Sequence, residues 1–208
     1  MTTVQILGAP QSTFVRVVRI VAEEKRVPYE LVPARPHTAE IDAIHPLGRI
    51  PVLRHGDVTL CESKAIALYL DRFFDGPSLM PTSPLEQVKV EQWISLVLTG
   101  FDPVLVRGYL LAYVFPGTAD GQPDRDKIAA LVPQVEAHLV ILEHQIAATG
   151  QVVGDSFTLA DVYVLPILSY LKDLPESGRI IAASKTLSDY IARHEERPSL
   201  RATVPPRA

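Results

Sequence analysis

The stretch IPVLRHGDVTLCESKAIALYL, Ile50 to Leu70, decides the fold, because two short apolar runs meet at a polar turn and the apolar spacing then changes period. Arg54–Asp57 joins the runs, with His55 and Gly56 as turn residues, so the pattern predicts a β-hairpin. From Ser63 the spacing is helical until Asp75, Gly76 and Pro77 stop it. Upstream, VQIL (Val4–Leu7) is a short apolar run closed by Gly8 and Pro10 and reads as a buried strand. Phe14, Val17, Val18 and Val21 recur at helical steps while Arg16, Arg19 and Glu23 fall on other faces, which predicts an amphipathic helix. PYELVPA gives a second strand, and TAEIDAIHPLG a short helix stopped by Pro46 and Gly48. The order over residues 1–76 is βαβαββα.

Past Phe74 the texture changes. DGPSLMPTSPLE mixes prolines, serines and a glycine between periodic segments, so residues 77–84 are expected to be a linker. Ser83, Pro84 and Glu86 read as a capping box with proline at the first helical position. VKVEQWISLVLTGFDPVLVRGYLLAYV keeps a helical pattern that Gly100 and Pro103 are expected to bend or break. Ile128, Leu131, Val135, Leu139, Leu142 and Ile146 give a long helix ended by Gly150. Thr158 with Asp161 caps another, and ASKTLSDYIARHEE closes the set. No strand pattern follows Met80, so residues 85–208 are expected to form an all-α domain.

A chain of 208 residues with 47% hydrophobic content and net charge −4 carries no basic patch for a nucleic acid or an anionic membrane. No segment reads as a signal or as long enough to cross a bilayer. One cysteine, Cys61, precludes an internal disulfide or a thiolate metal cluster and fits a cytoplasmic location. Its place at the end of a hairpin strand reads as structural. His138 and His144 are six apart and share no helix face, so no metal site is expected.

GAPQST at the first strand-to-helix turn, HPLGRIPVL, TLCESKAIALYL and FTLADVYVLPIL, in this order and spacing, resemble the cytosolic glutathione transferases. The resemblance covers almost the whole chain. It implies an α+β thioredoxin-like N-terminal domain followed by an all-α C-terminal domain. No tyrosine ends the first strand and no cysteine occupies the turn, so the likeness is to the serine-type, phi-like and theta-like members. The implied function is conjugation of reduced glutathione, a co-substrate, to an apolar electrophile, with no metal. A glutathione-dependent peroxidase, isomerase or dehalogenase, or a non-catalytic binding module, stays open on the same scaffold.

The chemistry points to the same residues. A free thiol, with a pKa of roughly 8.5, is mostly protonated at neutral pH, and only the thiolate is a good nucleophile. Helix N-terminal amides and a hydroxyl donor both favour the anion. Ser12 stands at such a helix start; alone it reads as a plain N-cap, the accompanying motifs favour the thiol-activating role, and Thr13 is the second choice. The resemblance implies that the Ile50 main chain, before Pro51, pairs with the cysteinyl unit of glutathione like an added strand. Glu62 and Ser63 match the γ-glutamyl ammonium and carboxylate. Arg49 is the candidate for the glycyl carboxylate, with His37 beside it, although phi-like members keep Gln or Lys at the first position and a His-Lys pair in the earlier loop. Tyr109, Leu110 and Tyr113 are candidates for a second-substrate pocket, a spacing that also suits a core. The resemblance further implies a homodimer, with Phe73, Phe74 and Val90 near the contact.

Overall fold

The structure, a computed structural model, describes residues 3–115, 117 and 121–206. The chain divides into two compact units, Met1–Pro81 with Glu195–Ala208, and Thr82–His194.

In the first unit β1 (Val4–Leu7), α1 (Thr13–Glu24), β2 (Tyr29–Val32), α2 (Ala39–Asp42), β3 (Val52–His55), β4 (Val58–Cys61) and α3 (Ser63–Phe73) follow the expected βαβαββα order. The sheet order is β2-β1-β3-β4. β1 and β2 are parallel, which requires the crossover that α1 supplies, whereas β3 and β4 are antiparallel and need only the tight turn at Gly56. Register then fixes what matters for function. Val32, Leu7, Val52 and Cys61 form one row across the four strands. Everything that leaves or enters the sheet at that row emerges at one end of it: Pro33 onward, Gly8 onward, Pro51 backward and Glu62 onward. Cys61 packs beneath, against the Leu7, Ile41 and Val52 cluster.

α1 differs from the amphipathic helix that its spacing predicts. Arg16 and Arg19 are only 3% and 9% exposed, buried among the valines and isoleucine beside them. The last helix, α10 (Pro198–Ala202), explains it. Carbonyls at a helix C-terminus lack intrahelical partners and attract cations; Arg16 donates to the Leu200 carbonyl, and Arg19 to those of Ala202 and Thr203. Arg197 forks onto Glu24 at 3.0 and 2.8 Å. The segment from Glu195 therefore belongs with the first unit, and not with the all-α domain expected to run to residue 208. At the other end of α1, Lys25 and Asp71 form a buried pair at 3.7 Å, and Asp71 also accepts the Leu79 amide at 2.8 Å.

The second unit is helical: α4 (Pro84–Leu96), a π-helical segment (Val97–Leu110), α5 (Leu111–Val114), α6 (Arg125–Ala147), α7 (Leu159–Leu171), α8 (Pro175–Ala183) and α9 (Lys185–Glu195). Gly100 and Pro103 do not break the rod. Proline lacks a donor and crowds the carbonyl four residues back, and widening the turn to π-type bonding accommodates both over Val97–Leu110. The resulting run Pro84–Val114 is long and apolar enough to cross a membrane, contrary to the sequence expectation, but much of it is buried against α6 and α7 as a core helix. Pro175 starts α8 as a separate helix before α9, an element the sequence pattern does not predict. Val90 is fully buried, whereas Leu85 and Val88 on α4 are 65% and 64% exposed.

α7 is anchored by Asp161. Its carboxylate accepts the Val152 amide at 2.9 Å, the Thr158 amide at 2.8 Å and the Tyr190 hydroxyl at 2.8 Å, and the reciprocal capping box with Thr158 is complete. Burial pushes the Asp161 carboxyl up from its ordinary range, and these bonds pull it back only in part.

Candidate functional site

At the row end of the sheet, Gly8 opens the turn into α1. A Cβ there would lie 2.4 Å from Val15 Cγ2 and 3.5 Å from Ile50 Cβ, so the missing side chain lets the turn close on α1 and seats Ile50 against it. Ser12 is the N-cap of α1, in extended conformation, with Oγ 3.4 Å from the Val15 amide. Ser12 keeps part of its surface, while Thr13 is 6% exposed and turned into the core. Of the two hydroxyls, Ser12 is the accessible one.

Ile50 and Pro51 enter β3 through a cis peptide bond. Glu62, at the far side of the row, has φ +68° in the left-handed region, which costs a non-glycine residue about 1–3 kcal/mol. It caps nothing with its side chain, which is 58% exposed, and Ser63 follows as the buried first residue of α3. This strained turn thus lifts a carboxylate clear of the helix that opens behind it.

Sequence reasoning gave His45 no role. It is buried, its Nδ1 accepts the Leu47 amide at 3.1 Å, and its Nε2 lies 3.4 Å from Glu62 Oε1. With Nδ1 as acceptor, the proton of the neutral ring sits on Nε2 and faces the Glu62 carboxylate. The signal was present in HPLG, but only the partner at Glu62 gives it meaning.

His37 is exposed, also at positive φ, with Nδ1 3.7 Å from Asp42 Oδ1. Its amide donates to the Gly48 carbonyl at 2.9 Å, which brings its loop to the Gly48–Arg49 turn. A Cβ on Gly48 would fall 2.3 Å from His37 Nδ1. Arg49 is exposed. Register, caps and loop bonds therefore gather Ser12, Ile50, Pro51, Glu62, Ser63, His37 and Arg49 at one end of the sheet. Beside the Ser12 turn lies an open cleft of about 390 Å³, lined on one side by Ala9 and Pro10 and on the other by residues of the segment after β2.

The three candidates in the second unit differ from one another. Tyr109 has no exposed surface, and its hydroxyl donates to Glu176 at 2.9 Å and accepts the Ser177 amide at 3.1 Å. Leu110 is 5% exposed. Both are core residues here, so the expectation that they line a pocket is corrected: four-residue spacing served the interior. Tyr113 keeps partial exposure and also donates to Glu176, while Arg125 stacks over its ring. Burial and the Glu176 carboxylate push the Tyr113 phenol well above its ordinary range. Burial opposes ionisation of Glu176, but the bonds from Tyr113 and Tyr109 and the Arg125 charge outweigh it and hold the carboxyl below its ordinary value. Among the described residues, no group of three His, Cys, Asp or Glu gathers as a metal site.

Known proteins are similar to this chain in sequence and fold. Residues 7–78 match the family model of the glutathione S-transferase N-terminal domain, and residues 125–193 that of the glutathione S-transferase C-terminal domain. A glutathione S-transferase of Silene vulgaris is 33% identical over 187 residues, 81% of this chain and 82% of that protein. A stringent starvation protein A homolog of Pasteurella multocida is 30% identical over 186 residues, 88% of this chain and 81% of that protein. The structure of a theta class glutathione S-transferase from Xanthomonas axonopodis pv. citri, with glutathione bound, superposes with a TM-score of 0.82 at 26% identity, covering 98% of both chains. With both domains matched, the chain belongs to the glutathione S-transferase family.

Proposed function

We propose that this enzyme conjugates reduced glutathione to an apolar electrophile, with the thiolate formed at Ser12. The observation that carries the reading is the convergence of the accessible N-cap hydroxyl of Ser12 with Ile50, Glu62 and Ser63 at one end of the sheet. In this reading Glu62 takes the γ-glutamyl ammonium, and Ser63 with the first amides of α3 takes the adjacent carboxylate. The Ile50 main chain pairs with the cysteinyl unit, and Arg49, with His37 beside it, takes the glycyl carboxylate.

The step needs no further reactant. The thiol proton passes to solvent, the sulfur forms a bond to the electrophilic carbon, and the leaving group departs with its bonding pair. Ser12 donates its O–H to the sulfur anion, and the α1 N-terminus adds partial positive charge, so the thiolate is held ready before the electrophile arrives. The chain is proposed to work as a homodimer, with exposed Phe73 on α3 of the first unit and exposed Leu85 and Val88 on α4 of the second as apolar positions for a partner to cover.

The second reading is a non-catalytic binding protein on the same fold, since the family's relatives include one, the stringent starvation protein A homolog, that is not named as a transferase. Retention on immobilised glutathione followed by turnover of 1-chloro-2,4-dinitrobenzene separates the two. Retention with turnover supports the transferase; retention without turnover of this substrate or of a hydroperoxide supports the binding protein.

A further inference from the structure

The cleft beside the Ser12 turn contains a cation that nothing above employs. Its walls are Ala9 and Pro10, from the turn that carries Ser12, and Pro33 and Ala34, from the segment that leaves β2 at the same row as Leu7. The Ala9 carbonyl accepts the Ser12 amide at 3.0 Å, so one wall is tied directly to the proposed thiolate site. At about 390 Å³ the cleft falls within the range that holds a one-ring ligand.

Its charges are not balanced. Glu40 lines the cleft but is committed to Arg54, whose Nη1 lies 2.7 Å from its Oε1. Thr38 is uncharged, and its hydroxyl oxygen accepts the Ile41 amide as the cap of α2. Arg35 also lines the cleft, is exposed, and among the described residues has no hydrogen bond or ion pair. The neighbouring basic group, His37, already faces Asp42, and neither it nor Arg49 lines the cleft. A guanidinium at the end of an apolar cleft offers two parallel donors to a planar anion.

We propose that the second substrate is an electrophile with a compact apolar body and a carboxylate, and that Arg35 binds the carboxylate while the body rests on Ala9, Pro10, Pro33 and Ala34. This deepens the transferase reading and rests on it. It replaces a purely apolar electrophile with an acidic one and makes Arg35 a specificity-determining residue.

The test compares 4-chloro-3-nitrobenzoate with its methyl ester, in which glutathione displaces the same chloride and the anionic carboxylate is replaced by a neutral, more activating ester. Each is assayed with the wild-type enzyme, Arg35→Gln and Arg35→Lys. The ratio of kcat/KM for the acid to that for the ester, in which intrinsic reactivity cancels between variants, falls about tenfold or more in Arg35→Gln and recovers in part in Arg35→Lys, while KM for glutathione holds. An unchanged ratio overturns the proposal; if KM for glutathione rises instead, Arg35 serves the glycyl carboxylate. Should neither these compounds nor 1-chloro-2,4-dinitrobenzene turn over, the transferase reading fails on its own. Titration of the benzoate into the wild-type protein and Arg35→Gln then still decides the subsite: weaker binding in the variant supports it, and equal binding removes it.

Discussion

Ser12 Oγ and the Val15 amide lie 3.4 Å apart, a long capping bond in which the hydroxyl acts only as acceptor. The O–H of the same group stays available as a donor. The two readings of Ser12, helix cap and thiolate donor, are therefore compatible: the cap bond orients the oxygen, and the proton points away from the amide it accepts. A cap bond this weak also means that removal of the hydroxyl costs α1 little, about 0.5–2 kcal/mol at most.

Glu62 and Ser63 hold the substrate in its ground and transition states alike. Alanine at either position raises the dissociation constant of glutathione about tenfold while kcat at saturation changes less than threefold, as expected when uniform binding is removed. Calorimetric titration with glutathione reads the first effect and steady-state kinetics the second. Equal affinity in both variants contradicts the assignment.

Loss of Asp161 is expected to be costly. Asp161→Ala strands the amides of Val152 and Thr158 and the Tyr190 hydroxyl inside the helical unit. Each unsatisfied buried donor costs about 1–3 kcal/mol, so denaturant unfolding is expected to show a loss of about 3–5 kcal/mol or no folded protein at all. Thr158→Ala, which leaves the carboxylate and its two amide bonds in place, loses about 1 kcal/mol. A wild-type midpoint for Asp161→Ala contradicts the anchor.

Glu176 makes stability depend on acid. Its carboxyl titrates below the ordinary value of 4.5 in the folded protein, so it binds a proton more readily when unfolded. The stability it contributes is complete above that ordinary value and is lost as pH falls through the lower, folded one. Glu176→Gln therefore flattens the acid limb of the stability curve below about pH 4.5. An unaltered limb would show that the tyrosine bonds do not favour the ionised form.

Light scattering at micromolar concentration is expected to give about twice the chain mass of 22.9 kDa. Leu85→Glu with Val88→Glu, both on exposed positions, halves that value without loss of helix content. A wild-type mass of 22.9 kDa across the range removes the dimer.

What the sequence revealed was local. The Thr158–Asp161 box, the Ser12 and Ser83 caps and the hairpin at Gly56 each join residues within a few positions, so pattern alone carries them. The buried state of Arg16 and Arg19 was hidden, because their partners at Leu200, Ala202 and Thr203 lie more than 180 positions away along the chain. For the same reason the sequence does not single out His45, whose partner is Glu62, and does not reveal the core role of Tyr109, whose hydroxyl meets Glu176 and Ser177. The π-helical path through Pro103 depends on how the segment packs, which no periodicity encodes.

The central claim is that Ser12 holds glutathione as a thiolate. Ultraviolet difference spectra of the enzyme–glutathione complex, titrated with pH, measure the ionisation of the bound thiol directly. The wild-type complex is expected to form thiolate at least one unit below the roughly 8.5 of a free thiol, and the Ser12→Ala complex to move back toward that value, with turnover reduced about tenfold or more and Thr13→Ala unchanged. A bound thiol that ionises at the free value in the wild-type protein, or at the same lowered value in Ser12→Ala, contradicts the account.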